Sequence, residues 1–328
     1  MGAITSGNVQ HQSLSRHVES SNINSAIRKT ERFFQKQSLP VQNYAKAIID
    51  LIGYRGKMTL NLDRTNWKYG DKKINYLVLS LRISKNFSLP LFFVELDKDG
   101  NSSTGERIDI IELFVKTFGV DRLGSLAGDR EFIGEKWITY LSDKEIPFFI
   151  RVKENMLIDY NDDSQLHVRG FFDHLGIGKK RKIEISVYGR TFVFEGTRSS
   201  KGDLVIVMSN QIFLKVGAIL ARYRKRWSIE ELFRKLKTSG FHWENTHMRV
   251  PKYLEKLLIV LGFATVCVFL IGTLTKIPWR KTVGCKLRSL FRQGFLNIQY
   301  LISQSPILAI EKLEELLSTA KMFFTGCY

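Results

Sequence analysis

The stretch YRKRWSIEELFRKLK, residues 223–237, sets Glu230 inside a run that is largely basic and aromatic. At about 100° per residue, a helix here carries Tyr223, Arg226, Trp227, Glu230, Arg234 and Lys237 in one stripe, with Ile229, Leu232, Phe233 and Leu236 on its core side. A carboxylate framed by cations and rings is what a phosphate-binding face with a metal ligand at its centre would need. Ordinary i,i+4 pairing of Glu with Lys or Arg is the competing explanation. Two further acids stand where the pattern places strand ends, Asp63 in LNLDRTNW and Asp129 in SLAGDREF. Ligands of open α/β sheets collect beyond the carboxyl ends of strands. An Asp at such a point can equally close a turn or cap the next helix. Jointly, the three acids could gather two divalent ions roughly 3.5–4 Å apart, one sharpening an attacking oxygen and one stabilising the leaving oxygen. Oxygen donors without His/Cys spacing point to Mg²⁺ or Mn²⁺.

The elements that must position these acids follow from periodicity. Residues 1–55 read as short helices, INSAIRKTERFFQKQ and VQNYAKAIIDLIG, preceded by a poorly ordered MGAITSGNVQHQ. Exposed Arg28, Lys29, Arg32 and Lys36 would suit either DNA or solvent. From 56 to 155 the spacing predicts three successive strands (57–63, 74–84 and 89–97), a helix at 105–119, a strand ending at Asp129, a helix at 134–146 and a strand at 147–153. That order describes a mixed α/β sheet with covering helices, as in ribonuclease H-like domains. Residues 156–209 read as antiparallel strands inserted into this core, and 210–328 as its second part, carrying the helix quoted above and further helices.

Composition narrows the partner. Fifty Lys and Arg against 32 Asp and Glu give +18 over 328 residues, which favours a polyanion, most simply nucleic acid, although an anionic membrane surface would fit the charge equally well. Three cysteines without CxxC spacing exclude a disulfide framework or a zinc cage and fit a reducing compartment. No signal-peptide pattern opens the chain. LLIVLGFATVCVFLIGTLT, residues 257–275, approaches the length of a membrane span. Gly262, Ala264 and Gly272 within it suit close packing, so a buried core helix and no membrane association are expected.

The pattern Y-x2-R-x3-E-x6-K, filled by Tyr223, Arg226, Glu230 and Lys237, resembles the signature of DDE transposases of the IS-four family of bacterial insertion sequences. LDRTNWKYG around Asp63, LDKDGNSSTGER at 96–107, GDREFIGEKW around Asp129 and GFHWENTH at 240–247 resemble that family's blocks, in the same order, and the similarity runs from about residue 25 to 300. The resemblance implies a ribonuclease H-like catalytic core interrupted by a β-strand insertion, with Asp63, Asp129 and Glu230 as a triad holding two Mg²⁺ or Mn²⁺ ions. It implies cleavage at the terminal inverted repeats of double-stranded DNA, then attack of the freed 3′-hydroxyl on target DNA by cut and paste, in a homodimeric synaptic complex in the bacterial cytoplasm, at the nucleoid. Arg226 and Lys237 would hold phosphates and Tyr223 would add a hydrogen bond.

Trp227 follows the Arg as in relatives that form hairpin ends, and would stack on a flipped base or else lie at the core edge. Such relatives can use a second tryptophan from the insertion, yet residues 138–226 contain none. Tyr188, Phe192 and Phe194 are the aromatic residues there that could take its place. Two alternatives remain: a ribonuclease H-fold nuclease without strand transfer, and an inactive transposon-derived DNA-binding protein.

Overall fold

The computed structural model describes residues 2–161, 164–275, 279–280, 285–286, 288–305 and a few positions up to 315. The expected closing helix at 306–321 lies largely outside the described residues. In chain order the elements are α1 (Gly2–Ser6), α2 (His11–Leu14), α3 (Ile23–Lys36), α4 (Val41–Ile52), β1 (Met58–Tyr69), β2 (Lys72–Ser84), β3 (Phe87–Glu95), α5 (Thr104–Phe118), β4 (Leu123–Gly128), α6 (Glu135–Asp143) and β5 (Phe148–Val152). There follow β6 (Leu157–Asn161), β7 (Ser164–His167), β8 (Lys180–Val187), β9 (Arg190–Arg198), β10 (Leu204–Ser209), α7 (Ala218–Tyr223), α8 (Trp227–Lys237), α9 (Pro251–Leu274) and α10 (Leu290–Gln304).

Local chemistry sets several boundaries. Gly53 closes α4 at a left-handed φ of 64°. Ser103 and Glu106 form a reciprocal capping box on α5. Gly70 supplies the φ of 59° that the two-residue β1–β2 loop requires. Eight strands make one sheet in the order β3-β2-β1-β4-β5-β10-β9-β8. β4 runs parallel to both β1 and β5, while the outer strands are antiparallel. The result is a mixed α/β sheet flanked by helices, consistent with a ribonuclease H-like fold. Three strands of the 156–209 segment continue the sheet past β5, and their buried Phe192 and Phe194 join the main hydrophobic cluster.

Two expectations need correction. Residues 2–12 are packed into the fold: Ala3, Ile4 and Val9 are buried, and the Gln299 amide donates to the carbonyls of Ile4 (2.9 Å) and Thr5 (3.2 Å). Partners almost three hundred residues away hold this segment, so its own pattern carried no signal. Asp63 also does not end its strand, because β1 continues six residues further, paired only with β2.

The apolar segment forms α9, packed against β3, α3, α4 and α10. It is long and apolar enough to cross a membrane, but 72% of its most hydrophobic window is buried in the protein. Glycine makes that packing possible. A Cβ on Gly262 would stand 1.9 Å from the Tyr44 hydroxyl, and one on Gly294 would stand 1.8 Å from the Val268 carbonyl oxygen. Tyr44 is buried and donates to the Pro90 carbonyl at 2.6 Å, so it has no room to retreat. Gly262→Ala is expected to cost about 1–3 kcal/mol, read as a lower urea midpoint, since overpacking a filled core forces backbone or rotamer shifts. An unchanged midpoint would show that the Tyr44 ring can yield.

Candidate active site

The parallel ladder of β1 with β4 ends at Leu62 opposite Gly128. The next residue on each strand is a candidate acid, Asp63 and Asp129, so register alone makes the two neighbours. Alternation along β1 puts Asn61, Asp63, Thr65 and Trp67 on one face. Contacts identify that face as the one beneath α8. The Asn61 amide donates to Ser228 Oγ (3.0 Å), Ser228 Oγ lies 2.6 Å from Ser88 Oγ, and the Lys237 ammonium stands 5.7 Å over the Trp67 ring. Asn61, Ser88 and Ser228 are all fully buried, and these small polar groups let α8 lie close on the sheet, the Asn61 Nδ2 and the two hydroxyls bonded in a chain while Asn61 Oδ1 has no hydrogen-bond partner among the described residues.

Residues 223–237 do not form a single α-helix. α7 ends at Tyr223, Arg224–Arg226 make a turn of 3-10 helix, and α8 begins at Trp227. The path stays helical, so Tyr223, Arg226 and Glu230 still share a side. The Arg226 guanidinium pairs with Asp63 at 2.8 Å and with Glu230 one turn ahead. The Tyr223 hydroxyl donates to Asp129 at 3.4 Å, and the Arg226 guanidinium lies 5.9 Å from the Tyr223 ring. All three acids act electrostatically on Arg226. Burial disfavours its charge, but Asp63 first, then Tyr223, Asp129 and Glu230, raise its pKa above the ordinary arginine value. Burial also pushes Asp63 up to about 6 against the pull of Arg226, with Asp129 and Glu131 adding to the rise. Tyr223 is raised mainly by burial.

The donor set is entirely carboxylate oxygen, the type that suits Mg²⁺ or Mn²⁺. Asp63 and Glu230 pair with a guanidinium and Asp129 with the Tyr223 hydroxyl, and among the described residues no three His, Cys, Asp or Glu side chains stand close enough to hold an ion. The residues therefore fit a divalent cation in kind, with a positive group already among them.

The other candidates are placed differently. Trp227 is 58% exposed, so the core-edge alternative fails, and it lines a groove of about 460 Å³ with Arg151, Tyr223, Arg224, Arg226 and Glu230. Lys237 is not free: it donates to the Asn66 carbonyl (2.9 Å) and pairs with Glu244 (2.8 Å). Arg234 is half exposed and paired with Glu231 at 2.6 Å. In the insertion, Phe192 and Phe194 are core residues, and Tyr188 sits at the β8–β9 turn with φ 55°.

Sequence reasoning missed Arg64 and Glu131. They pair at 3.2 Å and tie β1 next to Asp63 to the loop that follows Asp129, while the Arg64 fork also reaches Asn75 (3.1 Å). The doubled Asp-Arg dipeptide, 63–64 and 129–130, was the available signal. In each, the Asp carboxylate accepts the backbone N–H of the Arg that follows, at 2.9 and 2.8 Å.

Such a sheet, with acids gathered at the end of its parallel strands, defines a ribonuclease H-like protein. The profile described as transposase DDE domain matches residues 37–267, most of the chain, and the chain belongs to that family. Among solved structures it is similar to a piggyBac transposase in a synaptic complex with hairpin DNA, with a TM-score of 0.50 and 13% identity over 99% of this chain and 73% of the other. A fainter likeness joins it to an endonuclease V from Bacillus subtilis, with a TM-score of 0.28 and 10% identity over 70% of this chain and 95% of that one. No curated protein sequence matches at a significant level.

Proposed function

We propose that the protein is the transposase of a bacterial insertion sequence of the IS-four family, with its Y-x2-R-x3-E-x6-K signature in Tyr223, Arg226, Glu230 and Lys237, and that it moves its element by cut and paste. The observation that carries this reading is the pairing of Asp63 and Glu230 with the Arg226 guanidinium where the parallel pairing ends, beside Asp129, which accepts from the Tyr223 hydroxyl. These three are the residues that would hold two Mg²⁺ or Mn²⁺ ions, which when bound supply an activated attacking oxygen and charge for the leaving oxygen.

The chain's own side chains do the rest. Arg226 neutralises the carboxylates in the DNA-free protein, and exchanging them for a phosphate turns its two-pronged fork toward the substrate. Lys237 likewise contacts a phosphate only by giving up Glu244. Tyr223 orients Asp129 through its hydroxyl. Hydrolysis at an element end and attack by the freed 3′-hydroxyl are both in-line displacements at a phosphodiester, so one set of groups serves water first and hydroxyl second. The substrates are double-stranded terminal inverted repeats and target DNA. Joining two ends calls for two active sites, hence a homodimer in the synaptic complex, working at the nucleoid in the bacterial cytoplasm. The segments 1–55 (DNA binding), 56–155 and 210–328 (catalytic core) and 156–209 (insertion) divide this work, and Arg28, Arg32 and Lys36 are exposed on α3 for the first of these roles.

Trp227 is the ring positioned to stack on an extruded base. Trp227→Ala should weaken the step that needs an unstacked base by roughly 1–3 kcal/mol, the usual worth of one such stack. Cleavage of a substrate already unpaired at the end should be spared. Equal losses on paired and unpaired ends would remove the stacking role. The test of the whole reading is incubation with a DNA fragment carrying both flanking element ends and Mg²⁺, followed by sequencing of the products. Joined ends are expected, and cutting without joining would leave only a nuclease.

A further inference from the structure

The groove beside Trp227 does not stop at the active site. It shares Lys85 and Asn86 with a second depression of about 520 Å³, which in turn shares Arg234, Lys235, Ser289 and Phe291 with a third of about 760 Å³ reaching Arg292 and Asn8. Joined through these shared residues, they make one channel alongside α8, from Glu230 to the start of α10. Among the described residues its only carboxylates are Glu230 and Glu231, each already facing an arginine. Lys85, Arg224, Arg288 and Arg292 line it, are exposed, and have no ion pair among the described residues.

From Arg226 to Thr238 the channel follows twelve residues, about 18 Å at 1.5 Å per residue, or roughly five nucleotide steps of one strand at 3.4 Å each. Grooves for unpaired strands interleave exposed rings with cations. Here exposed aromatic surface is confined to the Trp227 end, and Phe87, Phe269, Phe291 and Phe295 further along are buried. We propose that this channel is the seat of a duplex DNA backbone, with Lys85 beside the Trp227 end and Arg288 and Arg292 further along α8 contacting its phosphates. The proposal rests on the transposase reading for the identity of the DNA, and contact with the backbone requires no particular sequence.

The test therefore needs no chemistry. A fluorescent 20-bp mixed-sequence duplex is titrated in EDTA over a range of NaCl concentrations with the wild type, with Lys85→Gln/Arg288→Gln/Arg292→Gln, and with Lys46→Gln/Lys116→Gln/Lys136→Gln. The last set makes the same change of charge at exposed positions elsewhere. The channel variant should lose about 2.7 from the slope of log affinity on log salt, about 0.9 for each contact, and the control set should keep the wild-type slope. An unchanged slope in the channel variant, or an equal loss in the control, overturns the proposal. Failure of the transposase reading would appear separately, as wild-type protein that binds the duplex with the predicted slopes but neither cuts nor joins element ends.

Discussion

Asp63→Asn, Asp129→Asn and Glu230→Gln should each reduce cleavage and joining of element ends by about 10³-fold or more. A catalytic cation supplies several kcal/mol of charge stabilisation, and 1.36 kcal/mol is worth tenfold in rate. Each substitution keeps the shape of the side chain and removes only the charge that would hold the cation. End binding should survive, because an amide in place of a carboxylate lessens repulsion of phosphate. Electrophoretic assays of cleavage beside anisotropy of a labelled end separate the two effects. Mg²⁺-dependent cutting retained by any one variant would remove that acid from the triad.

Arg226→Ala should destabilise the protein strongly above neutrality and much less in mild acid. Asp63 titrates near 6 in the fold, against an ordinary value of 3.8. Between those values the folded state holds the extra proton, so this group's contribution to stability falls as pH rises. Removing the guanidinium 2.8 Å away raises the folded pKa further and leaves a buried anion without its closest counter-charge. Breaking such a pair costs roughly 3–5 kcal/mol, and the Asp63 and Arg226 side chains are only 17% and 11% exposed. Urea unfolding in EDTA should therefore show a large loss at pH 8 and a small one at pH 5, where the carboxyl is protonated in either protein. Equal losses at both pH values would mean that Arg226 matters for packing alone. Added Mg²⁺ should restore more stability to the variant than to the wild type.

The strands and the helices on either side of Asp129 were legible because each rests on local chemistry: period-two runs, a capping box, a glycine at a helix end. β1 was read short at Asp63 because Arg64, Asn66 and Lys68 look like loop residues. They alternate with Thr65 and Trp67, which are buried. The strand outlasts its parallel neighbour there, so one-sided burial replaces burial on both faces. What the sequence could not give was pairing over long separations. Nothing local links Ser228 to Asn61 and Ser88, or Lys237 to Asn66, yet those contacts decide which cations are free and which are committed. The continuation of the central sheet by β8, β9 and β10 belongs to the same class, since antiparallel strands read alike in a separate layer and at the edge of an existing one.

The seam between α9 and α10 bears on how this protein is made. Strand β3 and helices α3 and α4 leave the ribosome before α9, whereas α10, which covers the stretch from Val268 to Gly272, follows it. Nascent chains that have not yet emerged past residue 290, and products of genes truncated there, would present bare hydrocarbon and an unsheathed Gly272 to solvent. Such fragments should be captured by chaperones or proteases instead of accumulating as quiet competitors for DNA, so damaged copies of the gene are expected to drop out of play rather than interfere.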